Sequence, residues 1–146
     1  MRRGRDRSRS AVTARLTRLL DPYVAAQDLG LVFHPHAVMR FEGSEVEPDL
    51  MVRAEKEPGR EDWTEAPTPL LIVEIHAPST RRRDYNQKRG LYMDAGVGEY
   101  WMIDPDARTI TAVRAGMPDV VARDTLVWNP PGTSASLTID LASVFG

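Results

Sequence analysis

The sequence predicts a mixed α/β domain, a central sheet flanked by helices, and three observations carry that expectation. An apolar run at Leu70–Val73 is followed by Glu74, His76 and Pro78 and then by a basic helical segment, the pattern of a buried strand leading into a helix. Val12, Leu16, Leu19, Leu20 and Val24 recur at helical spacing near the N-terminus, with arginines on the other face. Glu99–Asp104 and Thr109–Arg114 flank Pro105-Asp106-Ala107, a strand–turn–strand unit. At 146 residues the chain is one domain by size, long enough to bury a core without staples.

In chain order, residues 1–9 are expected to form a disordered basic tail, with residues 10–146 as a single domain. Ser10 is placed to cap the first helix. Asp21-Pro22 is expected to kink or divide that helix, and Gly30 to end it. Leu31–Phe33 and Ala37–Phe41 read as short strands, with Phe41-Glu42-Gly43-Ser44 as a turn. Glu47-Pro48-Asp49 leads into a strand at Leu50–Arg53; proline is tolerated at a strand start because no ladder bond is needed from it there. The acidic stretch Glu55–Pro69, with Pro58-Gly59, Pro67 and Pro69, reads as a loop. The central strand follows, then a helix from Ser79 or Thr80 to Asp94, closed by Gly96. Beyond the Glu99–Arg114 hairpin, short strands alternate around Asn129-Pro130-Pro131-Gly132. The chain closes with Leu137–Ile139 and a short helix to Phe145.

Composition removes several function classes. There is no cysteine, which excludes disulfides, thiolate metal sites and a cysteine nucleophile. No apolar segment approaches the roughly 18–20 residues of a membrane span. The N-terminus lacks the apolar core of a signal peptide, so a cytoplasmic protein is expected. A net charge of −2 excludes a globally basic nucleic-acid binder. The charge is uneven, however: seven of the first 20 residues are arginine, against Asp6 alone, while residues 55–65 hold five acids. A basic N-terminus can meet a phosphate backbone or be a solvated tail.

The residues that could carry chemistry gather around the central strand. Glu74 and His76 point to one face, about 6–7 Å apart along the strand. A carboxylate at the end of a buried strand is costly unless a cation, a metal or several donors meet it. Asp49 precedes the Leu50–Arg53 strand; if the two strands are neighbours, both carboxylates converge. Such an oxygen-rich pair suits Mg²⁺ or Mn²⁺. Asp84 and Lys88 share a helical face, four residues apart. Lys88 is either a cation above the site or an exposed lysine paired with Asp84. His76 reads as a ligand, an acid/base group or a satisfied strand-end histidine. Arg81, Arg82 and Arg83, at a helix start, are a phosphate contact or a solvated face. His34 and His36 form an HxH pair with no third metal ligand in view. Tyr92, Tyr100 and Trp101 read as core and sheet residues. There is no phosphate-cradling glycine loop and no nucleophile elbow.

The blocks PDLMV, LLIVEIHAPST and RDYNQKRGLYMDAGVGEYWMIDP, in that order, and the ending WNPPGTSASLTIDLASVFG resemble the Uma-two family of restriction-endonuclease-like proteins. The likeness runs from about Arg15 to the C-terminus. The family belongs to the PD-(D/E)xK nuclease superfamily. The resemblance implies a restriction-endonuclease-like mixed sheet with helices on both faces, and Mg²⁺- or Mn²⁺-dependent hydrolysis of DNA phosphodiester bonds. Carried over by position, Asp49 in Pro48-Asp49 is the aspartate of the first motif and Glu74 the acid of the second; both would bind the metal. His76 stands where the superfamily has lysine, and Lys88 matches the lysine that this family places on the following helix. Asp84 would orient Lys88, and Arg81–Arg83 would grip phosphates. The family's Glu-x-Leu-Ser-Pro-Ser is here Glu74-Ile75-His76-Ala77-Pro78-Ser79. Where the family commonly has a histidine, this chain has Arg7-Ser8-Arg9-Ser10. A DNA partner, a homodimer and no membrane association are expected. The rival expectation is a catalytically inactive nuclease-fold module that binds nucleic acid or a protein.

Overall fold

A computed structural model describes residues 2–33, 39–41, 44–46, 48–54, 68–76 and 81–146, with side chains described for 9–33, 48–54, 68–76 and 85–146. The first helix, α1, spans Arg2–Ala26. It starts earlier than expected: Ser10 is an interior position rather than a cap, and residues 2–9 are helical rather than a tail. Val12, Leu16, Leu20, Tyr23 and Val24 form its buried stripe. Pro22 lies inside the helix and does not divide it. It forfeits one backbone bond, but the buried Tyr23 and Val24 just after it keep the last turn on the core.

The end of α1 corrects a second expectation. Leu29 N–H donates to the Val24 carbonyl (3.0 Å) and Asp28 N–H to the Ala25 carbonyl (3.2 Å). This is a Schellman motif, and its left-handed residue is Asp28, with φ 53°, not Gly30. Gly30, with φ 131°, is needed for a different reason: a Cβ there would lie 1.9 Å from the Arg53 carbonyl oxygen.

Strands β1 (Leu31–Phe33), β4 (Leu50–Arg53), β5 (Leu71–Ile75), β6 (Glu99–Asp104), β7 (Thr109–Val113) and β8 (Val120–Ala122) form one sheet in the order β1-β4-β5-β6-β7-β8. Strands β5 and β6 are parallel and the other neighbours antiparallel. Two smaller ladders pair β2 (Met39–Phe41) with β3 (Ser44–Val46), and β9 (Thr125–Trp128) with β10 (Leu137–Asp140). The β5–β6 crossover carries α2 (Arg81–Asp94), and α3 (Leu141–Phe145) closes the chain. Gly96 ends α2 as expected, with φ 86° and Val97 N–H donating to the Tyr92 carbonyl (3.0 Å).

Every residue of β5 is buried, so both faces of the strand carry core. Leu71, Val73 and Ile75 pack with the α1 stripe, α3, Trp101 and Trp128. Ile72 faces the opposite way, with Tyr92, Val97, Tyr100 and Met102 on the α2 side. Helices therefore cover both faces of a mixed six-stranded sheet, the architecture the sequence predicts. Strand alternation then puts Glu74 and His76 on the α2 face, at the carboxyl end of β5.

Candidate functional site

The site is built where β4 begins and β5 ends. Leu50 pairs with Val73, so Asp49 and Glu74 are the next residues on two antiparallel neighbours. The Asp49 N–H donates to the Val73 carbonyl (3.1 Å), and its Oδ2 accepts from the Ile75 N–H (2.8 Å). The aspartate is thereby pinned across the backbone on either side of Glu74. The neighbouring-strand condition is met: β4 pairs with β5, which brings Asp49 and Glu74 to the same end of the sheet.

Glu74 is 5% exposed, and its charge is met from α2. The Lys88 ammonium contacts Oε1 and the Tyr92 hydroxyl donates to Oε2 (2.7 Å). Lys88 and Tyr92 are one helical turn apart, so one face of α2 holds both oxygens of a carboxylate that burial would otherwise penalise. Lys88 thus stands on Glu74, with its side chain 26% exposed. The side chains of Asp84, Arg81, Arg82 and Arg83 lie outside the described residues, as do His34 and His36; the backbone of 81–84 forms the first turn of α2.

His76 is buried. Its N–H donates to the Ile103 carbonyl (3.0 Å), and its Nε2 is 2.9 Å from the Tyr100 hydroxyl. Tyr100 packs edge-on against Tyr92, centroids 5.1 Å apart, and stacks with Tyr85 at 6.1 Å. His76 is thus a hydrogen-bonded strand-end residue, linked to Glu74 through two tyrosines.

Two site residues escape a reading of the sequence. Tyr92, assigned to the core, is fully buried, yet its hydroxyl belongs to Glu74; its four-residue spacing from Lys88 is the signal that could have found it. Arg9, assigned to the tail, donates through Nη2 to the Ile75 carbonyl (3.0 Å), with Nε 3.9 Å from Asp49 Oδ1. Arg9 lies three residues before Val12 and seven before Leu16, so helical spacing that continues the buried stripe is the signal that could have found it.

A second buried acid, Glu99, lies at the opposite end of the sheet. Burial pushes its carboxyl pKa up, against the Trp101 N–H (2.5 Å) and the Arg114 guanidinium (3.5 Å). Its partners tie the start of β6 together and leave it outside the Asp49–Glu74 group.

Among the described residues no three His, Cys, Asp or Glu side chains group closely enough to hold a metal. The oxygens at the end of β5 are two carboxylates and the Ile75 carbonyl. Mg²⁺ suits such a set, because it commonly keeps several waters and binds through one or two carboxylates.

A mixed six-stranded sheet with helices on both faces is the architecture of the restriction-endonuclease-like class. The model of the family described as "Uma2: Putative restriction endonuclease" matches residues 1–142, and the chain belongs to that family. Among solved structures it is similar to a crystal structure from Anabaena variabilis described as "a putative nuclease belonging to DUF820". The TM-score is 0.75 at 21% identity, over 94% of this chain and 80% of that one, a likeness of fold. No curated protein matches the chain. No helix among the described residues is long and apolar enough to cross a membrane.

Proposed function

We propose that this protein is a metal-dependent endonuclease that hydrolyses DNA phosphodiester bonds at the carboxyl end of β5. The observation that carries the reading is that Lys88 stands on the buried Glu74 while Asp49 is hydrogen-bonded to the next residue of the same strand, Ile75. Membership of a family described by restriction endonuclease chemistry supports the substrate class. Asp49 and Glu74 would hold Mg²⁺ or Mn²⁺, since hard carboxylate oxygens suit hard divalent ions. Such an ion, when bound, neutralises charge on a phosphate and lowers the pKa of a bound water.

The chain's own groups do the rest. Lys88 has a partly exposed side chain, 26%, so its ammonium can face both Glu74 and an incoming phosphate. It would orient the attacking water or offset developing negative charge. Tyr92 holds the second oxygen of Glu74 and so fixes the carboxylate's rotation. His76 and Tyr100 pack behind that tyrosine. Asp84, one turn before Lys88, would orient the lysine, and Arg81, Arg82 and Arg83 would meet the DNA phosphates. A homodimer would present two such sites to the two strands.

Calorimetric titration of Mn²⁺ and cleavage of plasmid DNA, in wild type and Glu74→Gln, test the proposal. Wild type binds Mn²⁺ and cleaves; the variant loses both and keeps its circular dichroism spectrum. Cleavage retained by Glu74→Gln sinks the assignment. Salt-sensitive DNA binding by wild type, with no metal-dependent turnover, selects the catalytically inactive module instead.

A further inference from the structure

Arg9 reaches the same strand end as Lys88 but touches different oxygens. Lys88 meets Glu74 Oε1. Arg9 Nη2 donates to the Ile75 carbonyl at 3.0 Å, and its Nε stands 3.9 Å from Asp49 Oδ1. One guanidinium thus lies beside both a carboxylate and a strand-end carbonyl, two oxygens of the kind a divalent ion held by Asp49 would take. A metal bonded to these oxygens at about 2.0–2.1 Å would compete with the guanidinium for the same negative charge. The two cations also repel at that separation.

We propose that Arg9 is a built-in cationic occupant of the Asp49–Ile75 oxygen pair, displaced when a divalent ion binds, so that α1 sets the protein's metal affinity by competition. The inference rests on the metal reading of Asp49 and Glu74 given above. It goes beyond that reading in giving the Asp49–Ile75 oxygens a competing cation from the chain itself and a device for tuning occupancy. The geometry suits such an exchange. The Arg9 side chain is 50% exposed, so on leaving it can swing into water without stranding a buried charge. The Asp49 carboxylate is 17% exposed, so it is better served with a cation beside it at all times, either the guanidinium or the metal. Because only the Arg9-out state takes metal, the apparent affinity falls by the fraction of molecules in that state.

The experiment is a calorimetric titration of Mn²⁺ into metal-free wild type, Arg9→Gln, Arg18→Gln and Asp49→Asn, each shown folded by circular dichroism. Arg18 is an exposed arginine on the same helix, about 13 Å further along it, and controls for general loss of positive charge. Arg9→Gln is expected to bind Mn²⁺ about tenfold more tightly than wild type, Arg18→Gln as wild type does, and Asp49→Asn more weakly. Saturating Mn²⁺ should also raise the melting temperature of Arg9→Gln more than that of wild type. Equal affinity in wild type and Arg9→Gln, with binding lost in Asp49→Asn, overturns this proposal and leaves the metal site standing. Weaker binding in Arg9→Gln overturns it too, making Arg9 a support of the site. Absence of binding in both wild type and Arg9→Gln removes the metal reading and this inference together.

Discussion

At the scale of single residues, the site depends on how a buried carboxylate is satisfied. Glu74 is 5% exposed and takes one donor on each oxygen, Lys88 and Tyr92. Tyr92 is also packed on Tyr100, so removing its hydroxyl leaves the ring in place and takes away only the hydrogen bond. Tyr92→Phe is therefore expected to lower stability by about 1 kcal/mol. It should cut DNA cleavage while leaving DNA affinity near wild type, because Glu74 loses the contact that fixes its rotation. Urea denaturation with a binding and cleavage assay checks both parts; unchanged cleavage would make Tyr92 a core residue after all. Asp49 differs in kind. It is held by the Ile75 N–H, a backbone donor supplied by the strand that carries Glu74. Pairing of β4 with β5 therefore builds the first half of the site.

At the scale of elements, two glycines eight residues apart in sequence behave oppositely. Gly98 precedes β6, and a Cβ there would lie 2.7 Å from the Leu70 carbonyl oxygen, a backbone atom that cannot move aside. The strands β5 and β6 start together at that point, with Glu99 N–H donating to the same carbonyl at 3.0 Å. Gly98→Ala should push the two strand starts apart and cost roughly 1–3 kcal/mol. Gly90, inside α2, faces open space within 4 Å. Gly90→Ala should stabilise by about 0.5–1 kcal/mol, since alanine favours a helix interior. Denaturant midpoints of the two variants, moving in opposite directions from wild type, are the expected result. The caps make the same point about elements. Gly96 ends α2 where a glycine is anticipated, whereas α1 ends on Asp28, because packing of Val24 and Leu29 on the core outweighs the cost of a left-handed aspartate.

At the scale of the whole molecule, α2 is tied to the far side of the sheet by Asp119, which lies just before β8. The Tyr85 hydroxyl donates to Asp119 Oδ2 (2.5 Å) and Arg89 Nη2 to Oδ1 (2.7 Å). The guanidinium holds the Asp119 carboxyl below its usual pKa, while burial and the aspartate push the Tyr85 phenol up to about 12. An unfolded tyrosine ionises near 10, so between those values the unfolded chain has lost a proton that the folded one keeps. Stability from this group is fully present below about pH 10 and is lost as the pH rises towards 12. Melting temperatures of wild type and Tyr85→Phe, measured from pH 9 to 12, should converge across that window; parallel curves would show that Tyr85 carries no such linkage. The lysine face of α2 and this tie share one helix, so the contact that docks α2 against the β7–β8 side also helps seat Lys88 over Glu74.

Much of this protein is legible without its structure, and the reason is locality. The apolar run of β5, the α2 helix with its Gly96 end, the β6–β7 hairpin and the acids Asp49 and Glu74 all announce themselves through spacing within a few residues. Lys88 is legible for the same reason, as a helical position after an interrupted strand. What spacing does not carry is partnership. The Tyr92 hydroxyl finds its acceptor 18 residues away, and the Arg9 guanidinium finds its carbonyl 66 residues away. The helical run of Arg2–Arg9 continues a helix anchored by Val12, Leu16 and Leu20, though its own composition reads as a tail. By itself the sequence determined which residues could do chemistry, because side-chain type and local period are written in it. Only the tertiary structure decided which cations stand on those acids, because contacts between distant segments depend on how the sheet and its two helical layers close around one another.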